Sequence, residues 1–395
     1  MPLHPNNQLL VDELSKLPVL DGRFEDIRLV NYDSLINVKR GCFSLVFCAR
    51  DRLTGKQVAL KFFDLHPDWV HEKYRLASFD REHTILEALL NAERCLQLKS
   101  EMRTYSLNVP AAAGPVVTIS CKYFAIDWIE DEIDGLFLNT LAFEPLERLR
   151  SFNEIVLAVE ALHVREVFHR DLKADNLRAR KEALKRVVIA IDLGTAARMD
   201  SGAISAVYGS PAGAQFYAAP EARCGLAGNR LIAHRTDYYA LGCLLFELFN
   251  KDYFFKALSQ RNMNYDAILH ALGSATSSGG TEQTQVESWR HNLEHFSRTI
   301  VQVPIDGPGN DVPPGIASML NEVVLSMTHF HLDRRPRNLA SIRHKISSAM
   351  RVLSHEKEYQ HRLMLQRQIR QLRLQKLAHR EARRSQALLG NLRKC

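Results

Sequence analysis

The apolar residues of this chain change their spacing once. From about Ile27 to Phe63 they come in short alternating runs, IRLVNY, LINV, SLVFCAR and QVALKFF, broken by the turn-like RG and LTGK; KYFAIDWIE, residues 122 to 130, reads as one more strand. Period 2 turns one face of each run toward a core, so the first 130 residues predict an antiparallel meander. The meander carries one helix, YRLASFDREHTILEALLNAERCL, in which Phe79, Ile85, Leu86, Leu89 and Leu90 fall near helical spacing. After Leu141 helices take over: SFNEIVLAVEALHV, then TDYYALGCLLFELF, which is apolar all round and therefore expected to be buried. Two short apolar strands, around Leu177 and at VVIAI, interrupt the helical part, each beside a polar cluster. This is an α+β pattern, with the sheet first and the helices after it.

The ends stand apart. Residues 1 to 23 are weakly patterned and read as an extension that packs on the neighbouring strands, while SATSSGGTEQTQ, 274 to 285, has the small polar composition of a flexible loop. The net charge of +7 belongs to the tail: residues 351 to 395 hold 12 Lys+Arg and 3 Asp+Glu, or +9, leaving 7 − 9 = −2 for the rest. That tail reads as helix. Val352, Tyr359, Leu363, Leu374 and Leu377 share one face, Leu365, Ile369 and Leu372 the opposite one, and arginines fill the gaps, so no clean heptad seam results. A solvated helix, an acidic partner, nucleic acid, an anionic membrane surface or self-association would each suit it; no aromatic platform accompanies the arginines.

The cysteines, 7 in all, are scattered without a CxxC pair, which argues against a disulfide framework or zinc knuckle and for a reducing cytosol. His329 with His331, or His66 with His71, lacks further ligands at metal-site spacing. MPLHPNNQLL has no leader pattern and no apolar run reaches about 18 residues, so a cytoplasmic protein is expected.

The most informative segment is VFHRDLKADNL, 167 to 177. It resembles the catalytic loop of the eukaryotic-type serine/threonine protein kinases, matching His169, Arg170, Asp171, Leu172, Lys173 and Asn176. Six fixed residues arise by chance somewhere in such a chain with a probability on the order of 10⁻⁵, so the match carries weight by itself. Other parts follow in the family's order. VALK resembles the third-strand motif and ends in Lys61; Glu82 lies 21 residues later on the expected helix; DLG, 192 to 194, follows VVIAI; YAAPE ends in Glu221; Asp237 opens the apolar helix; Arg335 is placed to pair with Glu221. The resemblance spans about residues 24 to 350.

It implies a bilobal fold, with an N-lobe over 24–126, a C-lobe over 127–350 and the basic helical tail over 351–395. It also implies ATP and Mg²⁺ bound between the lobes, and phosphoryl transfer to protein hydroxyls. Such transfer needs alignment and charge neutralisation more than covalent chemistry. The implied roles are Asp171 orienting the acceptor hydroxyl, Lys173 at the γ-phosphate, Asn176 and Asp192 as oxygen ligands of Mg²⁺, and Lys61, held by Glu82, at the α- and β-phosphates. Gly41, Val46 and Ala59 would surround the nucleotide, with Ile126 as gatekeeper and Asp127 to Ile129 as the adenine-facing hinge. A pseudokinase scaffold presenting the tail to a partner, and a small-molecule phosphotransferase of the same fold, are the alternatives.

Two departures mark this chain. In VKRGCFSLVF the family's three loop glycines would fall at Lys39, Gly41 and Ser44, so only the central one remains, with Phe43 at the tip. With Ser44 small enough for the hairpin, a working but stiffer loop is one reading; the sharper one is that Lys39 points at the nucleotide and adds charge, or partly blocks it. Ala214 replaces the threonine whose hydroxyl bridges the catalytic aspartate and lysine in relatives, so acceptor alignment is expected to be weaker or to come from elsewhere. Arg170 would capture an activation-segment phosphate, for which Ser201, Ser205, Tyr208 and Ser210 are candidates, with autophosphorylation expected on Ser205 or Ser210 and Asp200 a permanent substitute.

Overall fold

A computed structural model describes residues 2–33, 35, 38–39, 41, 44–70, 72–109, 117–182, 185–199, 213–226, 228–276, 280–296 and 299–392. The candidate phosphosites Ser201, Ser205, Tyr208 and Ser210, with Asp200, His71 and Phe43, lie outside the described residues.

The strands of the N-terminal half are β1 (Phe24–Leu29), β2 (Tyr32–Asp33), β3 (Val38–Lys39), β4 (Ser44–Asp51), β5 (Gln57–Phe63), β6 (Arg103–Val109) and β7 (Val117–Asp127). Five of them form one antiparallel sheet in the order β1-β4-β5-β7-β6, while among the described residues β2 and β3 pair with each other. The expected strand at residue 122 begins earlier, at Val117, and β6 is an addition to the expected meander. Its alternation in RTYSLNV is polar enough to read as loop. Register places Val46 opposite Lys61, Lys61 opposite Phe124 and Ala59 opposite Ile126, so these five side chains share a face. Phe47, Leu60, Phe62 and Tyr123 share the other, where the Phe62 and Tyr123 rings stack at 4.6 Å.

Helix α1 (Pro5–Lys16) belongs with that second face. Leu10 and Leu14 are fully buried, and the Tyr105 hydroxyl donates to Glu13 at 2.7 Å. The sequence pattern here is weak because only one narrow stripe of the helix is apolar. After α2 (Pro67–Val70), α3 (Lys73–Ala88) packs its Phe79 against Phe63 and Phe124. It ends well short of the expected Leu96: Asn91 and Arg94 adopt positive φ, 59° each, which a helix excludes.

The C-terminal half contains β8 (Asp131–Glu132), α4 (Asp134–Leu138), α5 (Pro145–His163), β9 (Val167–Phe168), β10 (Leu177–Glu182), β11 (Lys185–Ala190) and β12 (Ala197–Arg198). The helices α6 (Ala233–Glu247), α7 (Phe254–Arg261), α8 (Tyr265–Ala275), α9 (Glu282–Phe296), α10 (Pro314–Met327) and α11 (Leu339–Leu392) come next. Helix α6 is buried on every side, as its apolar circumference requires. The polar stretch 274–285 is partly helical, shared between the ends of α8 and α9. The tail helix starts earlier than Arg351: α11 is continuous from Leu339, and its first turns bury Ile342, Ile346 and Ala349. Beyond the Lys357–Glu144 ion pair, Tyr359, Met364, Leu365, Ile369, Leu372 and Leu374 are exposed. Among the described residues no helix is long and apolar enough to cross a membrane.

The Arg335 guanidinium donates to both Glu221 oxygens, at 2.6 and 2.9 Å, with both side chains out of contact with solvent. Its Nε also donates to the His329 carbonyl at 2.8 Å, so the pair ties the YAAPE segment to the turn after α10. Removing one partner leaves a buried charge uncompensated. Arg335→Met is expected to cost about 3–5 kcal/mol in urea unfolding, and Arg335→Met/Glu221→Leu much less; equal losses in the two variants would contradict this.

Two histidines nearby are kept neutral. His234 accepts a hydrogen bond from Arg235 at 3.0 Å and His329 one from the His331 amide at 3.0 Å; burial, aided by Arg235 and Arg334 respectively, pushes each down to about 4 from an ordinary 6.5. Between pH 6.5 and 4 the unfolded chain therefore binds protons that the folded chain refuses, and these groups remove stability as pH falls through that window. The Tm of His329→Gln should depend less steeply on pH there than that of the wild type; parallel curves would refute the assignment.

Candidate active site

The site lies between the sheet and the helical half, where β5, α3 and the turns after β9 and β11 converge. Lys61 projects from the sheet face opposite α1, and its ammonium lies 2.5 Å from Glu82 Oε2 and 2.9 Å from Asp192 Oδ1. Burial disfavours its charge, but Asp192 and Glu82 outweigh that and hold its pKa above the ordinary lysine range. Burial in turn raises the Glu82 carboxyl against the pull of Lys61. Burial works on Asp192 in the same sense but is overcome by the Lys61 ammonium, so this carboxyl stays below its ordinary range. The Asp192 side chain remains 43% exposed and faces the cleft.

Helix α3 is fastened to the DLG turn by more than this ion pair. Ser78 Oγ and Arg81 Nη1 both donate to the Gly194 carbonyl, at 2.7 and 3.0 Å. A Cβ on Gly194 would lie 2.7 Å from Ser78 Oγ, so a larger residue there would push this hydroxyl from its hydrogen bond. Ser78 and Arg81 have no signature in the sequence; one helical turn and one residue before Glu82, they carry no motif of their own. Asp192 sits at φ 60°, ψ 68°, a left-handed conformation costing about 1–2 kcal/mol in a non-glycine residue and retained because the surrounding contacts require it.

The HRD loop is built on Asp237, whose buried carboxylate accepts from the His169 amide (2.8 Å), the Arg170 amide (2.7 Å) and His163 Nε2 (2.7 Å). Burial would raise this carboxyl, but His163 and the loop amides hold it low and charged. His169 Nε2 donates to the Ile191 carbonyl at 2.9 Å, joining the loop to the strand before DLG. Arg170 takes φ 66°, which turns Asp171 toward the cleft. Asn176 Nδ2 donates to the Asp171 carbonyl (2.8 Å) and to Oδ2 (3.0 Å), and the Lys173 ammonium is 3.6 Å from Oδ2.

At Ala214 the backbone itself contacts the catalytic aspartate. Its N–H donates to Asp171 Oδ1 at 2.5 Å, so a main-chain amide stands where the family's threonine hydroxyl would act. Gly213 makes this possible: at φ 89°, a Cβ there would come within 2.4 Å of the Arg170 carbonyl.

The loop between β1 and β4 corrects one expectation. Asn31 accepts from the Val46 amide and donates to the Ser44 carbonyl, at 2.9 and 3.0 Å, closing the strand pair below a small β2–β3 hairpin. Lys39 lies in that hairpin, its ammonium paired with the buried Asp64 carboxylate. It does not point toward Lys61, because a buried carboxylate attracts the nearest cation. Gly41 is exposed at φ 82°, with no atom near a would-be Cβ. Val46, Ala59, Ile126 and Ile129 line the sheet side of the cleft and its connection, and the Asp127 carboxylate is held by Lys99 at 2.8 Å and Arg180 at 3.7 Å.

Comparison with known proteins agrees with this geometry. The Protein kinase domain profile matches residues 32–384. Among curated relatives, the CTD kinase subunit alpha of Saccharomyces cerevisiae is 24% identical over 255 residues, covering 62% of this chain and 42% of that protein. Human Cyclin-dependent kinase 9 is 26% identical over 223 residues, 56% of each chain, and the CBL-interacting serine/threonine-protein kinase 19 of Arabidopsis thaliana is 26% identical over 242, covering 60% and 43%. The chain thus spans about half the length of the curated relatives it matches. With the profile covering most of its length and the ion-paired lysine, HRD loop and DLG turn assembled in one cleft, the chain belongs to the protein kinase domain family.

Proposed function

We propose that the chain is a serine/threonine protein kinase that transfers the γ-phosphoryl group of ATP to protein hydroxyls with Mg²⁺. The observation that carries this reading is the Lys61 ammonium engaged by Glu82 and Asp192 together, in a cleft that also presents Asp171. Four ionisable groups gathered in one cleft are costly to desolvate, and such a cluster is suited to acting on charge.

In this reading Lys61 contacts the α- and β-phosphates and Glu82 fixes its position. Asp192, half-exposed with one oxygen on Lys61, and Asn176, whose amide nitrogen is spent on Asp171, offer the hard oxygen donors that Mg²⁺ takes. The bound metal would neutralise charge on the phosphate oxygens. Asp171 accepts the acceptor's hydroxyl proton as a hydrogen bond and orients the attack, and Lys173 steadies the charge developing at the γ-phosphate. Gly41, Val46, Ala59, Ile126, Asp127 and Ile129 form the nucleotide's surroundings. The lysine of HRDLK favours serine and threonine over tyrosine acceptors.

Asp171→Asn should lower kcat by about 10²–10⁴ while leaving Mg·ATP affinity nearly unchanged. Labelled ATP with mixed serine, threonine and tyrosine peptides reads this directly; an active Asp171→Asn enzyme, or no transfer by the wild type, would sink the proposal. Because the Ala214 amide already contacts Asp171, Ala214→Thr should change kcat by no more than about threefold. A gain well above tenfold would show instead that the missing hydroxyl limits alignment.

A further inference from the structure

The second face of the sheet holds a polar chain that the reaction itself does not require. Asp64 comes directly after β5 and is almost fully buried beneath the start of α1. Its Oδ1 accepts from Asn7 Nδ2 at 2.7 Å and from the His66 amide at 2.9 Å, while its Oδ2 takes the Lys39 ammonium. Asn7 is buried as well and accepts from the Leu65 amide at 2.8 Å through its own side-chain oxygen. Both side-chain polar atoms of Asn7 are thus committed to the segment after the Lys61 strand. Leu10 and Leu14, one and two turns further along α1, anchor the helix in the core.

The chain of contacts links three separate parts of the sequence. Asn7 belongs to the N-terminal helix, Asp64 to the end of the strand that carries Lys61, and Lys39 to the hairpin two residues before Gly41. Among the described residues strand β3 pairs with β2 and lies outside the five-stranded sheet, so the pairing with Asp64 is a connection of this hairpin to the rigid body of the lobe. A buried carboxylate that collects two neutral donors and one cation has a defined geometry, and the cation it holds is placed accordingly.

We propose that α1 is a positioning element for the nucleotide, acting through Asn7, Asp64 and Lys39 to hold the hairpin that leads into Gly41. This rests on the kinase reading above and deepens it. Holding the loop before the nucleotide arrives lowers the ordering cost of binding, so the relay acts on ATP affinity and leaves the chemical step alone. Lys39, the residue that replaces a glycine in the family pattern, then serves as an anchor on the far face of the sheet and touches no phosphate.

Asp64→Asn separates this from direct contact between Lys39 and ATP. If Lys39 were a phosphate ligand, weakening its tie to Asp64 would leave ATP binding unchanged or tighten it. The relay requires the opposite: Asp64→Asn should raise the Mg·ATP Kd and KM about 5- to 20-fold, with kcat at saturating ATP within about twofold. Asn7→Ala should move both in the same direction by less, Lys39→Arg should stay near wild type, and amide exchange over residues 38–47 of the nucleotide-free chain should quicken in Asp64→Asn. Should Asp64→Asn fold poorly, Lys39→Met/Asp64→Asn removes both charges together and carries the same expectation. Unchanged or tighter ATP binding in these variants, or a fall in kcat alone, overturns the relay while leaving the kinase reading intact. A wild-type chain that binds no Mg·ATP overturns both.

Discussion

The Lys61 ammonium is the point on which both halves of the molecule depend. It is out of water, and a lone cation there would lose far more solvation than any single contact returns. It is stable because Glu82 comes from α3 and Asp192 from the turn after β11, so three segments distant in sequence must meet for the charge to be compensated. The same need fixes α3 against the DLG turn, which Ser78 and Arg81 reinforce on the Gly194 carbonyl. An arrangement of this kind is sensitive to the position of one helix. Moving α3 outward would separate Glu82 from Lys61 and leave a buried carboxylate without its cation, while Lys61 would keep Asp192 alone.

A second buried carboxylate, Asp237, organises the helical half. It sits at the start of the most buried helix and accepts from two consecutive backbone amides of the HRD loop, turning an irregular segment into a defined one. His169 carries the order onward to the strand before Asp192, and Ala214 carries it to the substrate-facing segment. Asp171 is therefore aimed by main-chain geometry more than by its own packing. The same economy explains Ala214: with Gly213 allowing the close approach, an amide supplies the donor that relatives obtain from a hydroxyl.

Much of this was legible in the residues themselves. The switch from alternating to helical spacing separated sheet from helices, and the burial of α6 agreed with its apolar circumference. Lys61, Glu82, Asp171, Asn176 and Asp192 stood out because they fall in the order and spacing of the kinase motifs, and the structure brings Lys61, Glu82 and Asp192 into contact. Other features left no readable trace. Helix α1 docks through a stripe too narrow to show as a pattern, β6 alternates with polar residues, and the end of α3 is set by left-handed Asn91 and Arg94, which propensity alone does not reveal.

Lys39 shows where the boundary falls. Its chemistry, a cation in a loop expected to face phosphates, was evident from its place before Gly41, and that placement suggested a nucleotide contact. Its direction was decided by Asp64, 25 residues away and buried under a helix that begins 34 residues before Lys39. By itself the sequence determined which residue types are present, their local periodicity and the kinase order of the motifs, because these depend on near neighbours along the chain. Only the tertiary structure decided which buried charge finds which partner, because desolvation is resolved by proximity in space, and proximity is set by how the sheet, α1 and α3 pack together.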